Sequence, residues 1–183
     1  NDYIRYPSEW KRTEEVFHIL DTQTSNNVEI TVACAVQALN VYYLPDFIQW
    51  KLEQKFKKIN MWPFGAGGIS QHFVYWPAHL NVKVLPKWFK EECRAKYEAW
   101  YPWWEENWEL GIPSWHKGKV TKEDFMQAEY GIKRLDGILS FMESEDWSRR
   151  LPEMQEFLHR CDTQRGNSFA KVFPEMKDIF DGR

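Results

Sequence analysis

The chain has 183 residues, of which 43% are hydrophobic and 28% charged, with a formal net charge of −3 and a pI of about 6.0. This length suits one domain with its own core or a part of a larger protein. The apolar runs are too short to cross a bilayer, and the weakly acidic balance gives no overall attraction for nucleic acid or an anionic membrane. Composition therefore excludes a membrane span and argues against a nucleic-acid partner.

The first half of the sequence predicts alternating helices and strands. A helix is expected over residues 8–20, where apolar residues recur at helical spacing. Residues 28–36 are rich in β-branched residues and alternate only weakly, which is typical of a strand covered on both faces in a parallel sheet. Residues 45–58 then carry an apolar stripe that predicts a second helix. Further strands are expected at residues 59–63 and 73–76.

Two features of this half allow both a functional and a structural interpretation. The glycine-rich stretch at residues 65–68 could cradle a phosphate, but no GK(S/T) sequence or helix pattern follows it, so a turn is favoured. A cluster of basic residues shares the predicted helix with a glutamate, which favours a solvated face over a binding patch. The cluster consists of Lys51, Lys55, Lys57 and Lys58.

After about residue 86 the sequence becomes helical in character. Helices are predicted over residues 86–100, 122–144, 152–165 and 168–180. Alternation of helices and strands followed by helices alone predicts an α/β protein with a helical extension. We expect residues 1–85 to form the α/β part and residues 86–183 the extension.

The junction between the last two predicted helices carries clear end signals. Gly166 suits the left-handed residue that closes a helix. Asn167 or Ser168 can cap the next helix by accepting a hydrogen bond from its free backbone N–H groups. We expect Asp162 and Arg165 to cap and pair at this junction rather than to perform chemistry.

Five of the eleven tryptophans lie between residues 100 and 115. Such a cluster could stack bases or sugars, but neighbouring glutamates at positions 105, 106 and 109 would repel phosphates. Packing between helices and a docking surface for another domain are the two remaining interpretations.

No spacing of catalytic residue types indicates an activity. The five histidines form no HxH, HxxxH or HExxH pair, and no GxSxG sequence is present. Cys34, Cys93 and Cys161 lie far apart and form no CxxC pair, so neither a disulfide framework nor a zinc site is indicated. We expect a reducing cytoplasmic environment, with Cys34 and Cys161 as packing residues.

Longer segments, taken in order, resemble the C-terminal portion of radical SAM proteins with a SPASM/twitch-type extension, especially the short phage and marine bacterial members. Residues 1–10 are similar to the segment after the fourth barrel strand of that family, and residues 28–41 to the fifth strand and its turn. Residues 79–90, HLNVKVLPKWFK, resemble the beginning of the extension, hLxVxxLPxxxK. Residues 162–175 resemble its closing sequence, LDxxRxxxFxxxFPE.

The resemblance implies the C-terminal part of a partial (β/α) radical SAM barrel followed by an all-helical, twitch-like extension. The family cleaves S-adenosylmethionine with a 4Fe–4S cluster held by a CxxxCxxC motif, which this chain lacks. Both cofactors are therefore expected in a full-length protein, with none for this chain alone and no metal ligands on it. The implied partners are the N-terminal half of the barrel and an unknown substrate, for which a peptide is one alternative.

The same resemblance implies three contacts with S-adenosylmethionine. Arg5 matches an arginine that could reach the cofactor carboxylate, and the alternative is an ordinary surface residue. Val36 and Gln37 end the predicted strand, where barrel enzymes bind ligands. Val36 is expected to touch adenine, with core packing as its alternative.

A hypothesis from a different class is an independent binding or assembly module that uses the tryptophan-rich surface at residues 100–115. Such a module would fold by itself without exposed sheet edges. An open edge or face at residues 28–36 would instead favour the enzyme fragment.

Overall fold

The computed structural model describes residues 2–23, 25, 30–59, 69–112, 118–127 and 132–181. The helices and strands within these ranges are, in chain order, α1 (Trp10–Gln23), β1 (Val32–Val36), α2 (Leu44–Glu53), β2 (Ile69–Phe73), α3 (Lys87–Glu106), α4 (Lys122–Gln127), α5 (Ile132–Glu143), α6 (Leu151–Arg165) and α7 (Phe169–Val172). Short 3₁₀ turns connect several of them, and most of the described chain is helical. No helix in these ranges is both long and apolar enough to cross a bilayer.

β1 and β2 form a parallel pair, with Val32 opposite Ile69 and Val36 opposite Phe73. Parallel neighbours need a long crossover, and α2 lies in the connection between them. The predicted α/β character is thus confirmed as a mostly helical chain with a small parallel sheet. The partial barrel stays a prediction.

The strand boundaries differ from those expected from sequence. β1 begins at Val32, and residues 28 and 29 of the predicted strand lie outside the described residues. Ala33 is exposed, so the strand is not covered throughout on both faces. Of the predicted strand at residues 73–76, only Phe73 belongs to β2. Residues 60–68, with the glycine-rich stretch, also lie outside the described part of the chain.

α3 is longer than its sequence pattern indicates, because it continues through Pro102 to Glu106. Proline removes one helical hydrogen bond, which is why the prediction stops near residue 100. Tyr97, Trp100 and Trp104 lie on one face and are all buried, and this packing holds the helix together beyond the proline.

α6 ends as the sequence predicts, at Gly166 with φ 64° and ψ 27°. The next helix differs: α7 has only four residues, and a 3₁₀ turn from Pro174 follows it. The Ser168 side chain makes no capping hydrogen bond. Instead both carboxylate oxygens of Asp162 accept the Phe169 N–H, at 3.0 and 2.9 Å. The expected cap at residues 167–168 is therefore wrong, and the capping role of Asp162 is confirmed.

One hydrophobic core joins the strands to the helices. Side chains from β1, α2, α3, α5 and α6 meet in it without surface exposure or nearly so. Its fully buried members include Val36, Ile48, Leu52, Phe89, Tyr97, Trp104, Leu135, Leu139 and Met154.

We expect Gly166→Ala to lower the free energy of unfolding by about 1 kcal/mol, because an L side chain is disfavoured at positive φ. An added methyl group would meet no atom within 4 Å at Gly166, so only the backbone cost applies. Gly137 in α5 has the same open space, and Gly137→Ala should raise stability by roughly 0.5–1 kcal/mol. Urea titration followed by circular dichroism measures both, and a stabilising Gly166→Ala would contradict the left-handed helix end.

Candidate functional site at the carboxyl ends of the strands

The turn after β1 is closed by the side chain of Asn40. Its Oδ1 accepts the Gln37 N–H at 2.8 Å, and its Nδ2 donates to the Ala35 carbonyl at 2.8 Å. The Val41 N–H also donates to the Gln37 carbonyl, at 3.0 Å. An amide side chain with both a donor and an acceptor suits this position, since it bonds backbone groups at the strand end that have no partner within the sheet.

The segment after β2 is joined to that turn by backbone hydrogen bonds. The Val74 N–H donates to the Val36 carbonyl, and the Ala38 N–H to the Leu80 carbonyl, both at 2.9 Å. Asn81 donates from Nδ2 to the Val74 carbonyl, at 2.9 Å. The carboxyl ends of both strands therefore share one fixed edge, which is where open α/β sheets and barrels bind ligands.

Gln37 lies at this edge and is only 7% exposed. Its backbone N–H and carbonyl are bonded as described, but its carboxamide makes no hydrogen bond within the described part of the chain. Its oxygen and nitrogen are not among the fully buried side-chain atoms that lack a partner, so they keep access to solvent. The carboxamide of Gln37 is therefore open to water or to a ligand with complementary donors or acceptors.

Arg5 lies in a turn before α1 and is exposed to solvent. The Ser8 N–H donates to its carbonyl at 2.8 Å. Burial raises the pKa of the Cys34 thiol in β1 to about 11, and the positive charge of Arg5 acts in the opposite direction and lowers it.

Val36, the third residue that the resemblance assigns to the cofactor, is fully buried in the main core. Its side chain is packed against protein, which is the alternative stated for it above. Contact with adenine stays a prediction and would require neighbouring core side chains to move.

Two aromatic residues at this edge were not singled out from the sequence as surface groups. Tyr75 is 62% exposed and Trp76 is 85% exposed, directly after β2. The Tyr75 ring meets Phe141 edge-on at 5.6 Å, while Trp76 precedes a cis peptide bond to Pro77. The sequence pattern placed both inside the predicted strand at residues 73–76, and it gave no signal of their exposure.

His79 follows in the same segment, and sequence spacing gave no reason to select it. Its Nε2 is buried and has no hydrogen-bond partner among the described residues. Burial lowers the pKa of this imidazole, and its ring lies 5.0 Å from that of Phe157.

Lys51 corrects the interpretation of the lysine cluster as a solvated face. Lys51 lies in the last turn of α2, which ends at Glu53, and it is 0% exposed. Lys55 and Lys57 follow the helix and are exposed. Burial lowers the pKa of the Lys51 ammonium to about 7. The apolar stripe of the helix did not indicate that Lys51 is buried. A lysine can be buried at such a position because its aliphatic stem packs like an apolar side chain.

The tryptophan-rich region is largely internal. Trp100 and Trp104 are buried, and the rings of Trp100 and Trp103 stack at 5.7 Å. The Trp100 Nε1 donates to Gln49 in α2 at 3.1 Å. These contacts favour packing between helices over a docking surface, and Trp115 lies outside the described residues.

The cysteines do not form a site for an iron–sulfur cluster. Cys34 is in β1, Cys93 in α3 and Cys161 in α6, and all three are free thiols. In the described ranges no three His, Cys, Asp or Glu side chains are grouped so as to hold a metal ion. The cluster that the resemblance implies does not fit the residues described on this chain.

Comparisons with known proteins give no match: no family model, no curated protein and no solved structure is significantly similar to the chain.

We expect Asn40→Ala to lower the free energy of unfolding by about 1–3 kcal/mol, since it leaves the Gln37 N–H and the Ala35 carbonyl without their partner. Asn107→Ala is the matched control, because Asn107 makes a single side-chain bond to the Trp103 carbonyl. Chemical denaturation compares the two variants. An equal, small cost for both would show that Asn40 does not hold the turn.

The free energy of unfolding should also rise with pH, in the range between the folded and unfolded pKa values of Lys51. The folded pKa of about 7 lies below the ordinary value of 10.5, so between these values the unfolded chain holds the extra proton. The free energy of unfolding therefore increases by up to about 1.4 kcal/mol per pH unit across that window. Denaturation at several pH values from 6.5 to 9.5 tests this.

The control for the pH dependence is a pair of matched substitutions. Lys51→Met should remove most of the slope, whereas Lys57→Met, at an exposed position, should keep it. If the free energy of unfolding of Lys51→Met still rises with pH to the same extent, another group takes up the proton on unfolding.

Proposed function

We propose that this chain is the C-terminal part of a radical SAM enzyme, in which the β1–α2–β2 unit completes the barrel and the later helices shape the approach to its active site. The activity would be reductive cleavage of S-adenosylmethionine followed by radical modification of a substrate. The observation that carries the proposal is the edge where β1 and β2 end, with Gln37 in the turn that follows β1.

The small sheet supports the proposal. β1 and β2 pair only with each other within the described residues, and each strand has five residues. Parallel strands occur almost always in larger sheets with both faces covered. The outer edges of the two strands therefore suit pairing with further barrel strands, and the exposed Ala33 suits a covering layer on its face of the sheet.

The residue types that the resemblance assigns to the site suit part of the cofactor. S-adenosylmethionine presents a carboxylate, for which an arginine guanidinium is the best protein partner. It also presents ammonium, hydroxyl and adenine groups that a carboxamide can bond. Arg5 would bind and orient the carboxylate, while Gln37 would satisfy one of the polar groups.

The 4Fe–4S cluster would be bound by an upstream segment, because the described cysteines do not fit it. Bound there, such a cluster would supply the electron for the reductive cleavage of S-adenosylmethionine. The contribution of this chain is confined to binding, orientation and exclusion of water at the strand ends.

The proposal is tested by expressing the reading frame together with the segment encoded upstream of Asn1. After anaerobic reconstitution with iron and sulfide, the reduced protein should show the EPR signal of a 4Fe–4S cluster, altered by S-adenosylmethionine, and should release 5′-deoxyadenosine. A protein without cluster and without cleavage contradicts the proposal.

Two variants of that protein test the site itself. Arg5→Gln and Gln37→Ala should each weaken binding of S-adenosylmethionine, by roughly 10- to 100-fold for the charged contact. Lys11→Gln, at an exposed position of α1, is the control for loss of a positive charge. Unchanged affinity in both site variants would place the cofactor elsewhere.

A further inference from the structure

A cavity of about 420 Å³ lies where three segments that are far apart in the sequence meet. They are the start of α3, the beginning of α6 with the turn before it, and the C-terminal turn that follows α7. Side chains from all three line this cavity, which we call the Arg149 cavity, and they include Trp88, Arg149, Leu151, Gln155, Ile179 and Phe180. Small-molecule sites have volumes of roughly 300–1,000 Å³, so the Arg149 cavity is of suitable size. None of its lining residues belongs to the strand ends described above.

Much of the cavity wall is apolar and is held by the core behind it. The half-buried Trp88 ring packs edge-on against the buried Phe89 at 5.5 Å. The half-buried Phe180 ring lies 5.8 Å from that of the buried Phe169. Ile179, also in the wall, is 1% exposed. Two supported aromatic rings offer the kind of surface on which a flat apolar ligand packs.

The polar side chains of the cavity have no partners within the described part of the chain. Arg149 is the one charged residue among those that line it, and its exposed guanidinium makes no hydrogen bond or ion pair there. The neighbouring Arg150, in contrast, is paired with Glu153 at 2.9 Å. The exposed Gln155 carboxamide also makes no hydrogen bond to a described residue. Arg149 and Gln155 can therefore bind a ligand without first breaking a contact within the protein.

The backbone that carries Arg149 is fixed on both sides. The Ser148 N–H donates to Asp146 Oδ1 at 2.9 Å, and the Arg150 N–H donates to the Trp147 carbonyl, also at 2.9 Å. Only the side chain of Arg149 has to be ordered when a ligand binds, which limits the entropic cost.

The start of α6 by itself offers little to an anion. Pro152 has no N–H, and the Leu151 N–H is bonded to the Ser148 carbonyl. An anion in the cavity would therefore depend on the Arg149 side chain rather than on the helix.

We propose that the Arg149 cavity binds an aromatic carboxylate, with the ring of the ligand against Trp88 and Phe180 and its carboxylate on Arg149. A guanidinium matches a carboxylate with two parallel hydrogen bonds. One positive charge suits a monoanion, whereas a phosphate monoester carries about −1.5 to −2 charges at pH 7 and would be only partly neutralised. The same chemical group occurs on free aromatic acids and at the C-terminus of a peptide that ends in an aromatic residue.

NMR titration of the full, ¹⁵N-labelled chain tests the proposal with one probe for each source of the ligand. The probes are 2-naphthoate and the tripeptide Gly-Gly-Trp, each compared with its neutral amide. We expect a Kd of about 0.1–1 mM for the acid that fits, as is usual for small ligands, and at least about fivefold weaker binding of its amide. Amide signals of residues 87–88, 148–155 and 179–180 should shift.

The probe that binds identifies the source of the ligand. Absence of millimolar binding by both acids, shifts confined to other residues, or equal affinity for acid and amide would overturn the proposal. Tighter binding of 2-naphthyl phosphate than of 2-naphthoate would overturn the assignment to a monoanion.

Substitutions separate the specific contact from general attraction between charges. Arg149→Gln should weaken binding of the acid by about tenfold and leave that of the amide unchanged. Lys177→Gln is the matched control, because it removes the same charge at an exposed residue near the cavity that does not line it. Equal weakening by both variants contradicts the proposal.

The apolar wall has its own variant. Trp88→Leu should weaken binding of acid and amide alike, because both lose the same ring contact. Should this variant not fold, Arg149→Gln still decides, since Arg149 is exposed and outside the core. These titrations need neither the upstream segment nor S-adenosylmethionine, so their result is independent of the proposed function.

Discussion

The structure depends on how the backbone leaves its small parallel sheet. Parallel strands end at the same edge, and the polar groups there need partners within a few residues. Asn40 and Asn81 supply them with side-chain amides, and the Ala38 N–H bonds to the segment after β2. Because this edge is held by short, direct hydrogen bonds, Gln37 has a defined position rather than a mobile one.

Local patterns in the sequence predicted local structure well. The apolar spacing of α6 and the glycine at its end depend on neighbours within a turn, and both were found as expected. The differences between the predicted and the observed structure come from long-range packing. α3 crosses Pro102 because Trp104 is buried on the far side of it, and Lys51 is internal because α2 lies over the core. Neither effect is encoded in the spacing of nearby residues.

The candidate site was predictable only in part, for the same reason. Arg5 and Gln37 came from resemblance of whole segments, and the structure places Gln37 directly after β1. Its burial and its bond to Asn40 required a fold, since the spacing of nearby residues does not indicate them. Asp162 was expected to cap a helix, but its bond to Tyr3 joins opposite ends of the chain and has no sequence signature. Such contacts are visible only once distant segments meet.

α3 has a consequence for how this protein could be rearranged in evolution. At 1.5 Å per residue its 20 residues span about 30 Å, and it begins at the boundary expected near residue 86. One face bonds backward, from Tyr97 to Val41, and another bonds forward, from Arg94 to Glu143. A recombination event that exchanged the helical extension at that boundary would separate α3 from its partners in α2, where Asp46 pairs with Lys96 and Gln49 accepts a hydrogen bond from Trp100. Successful exchange would have to carry matching changes in α2, so the two parts are expected to be inherited together.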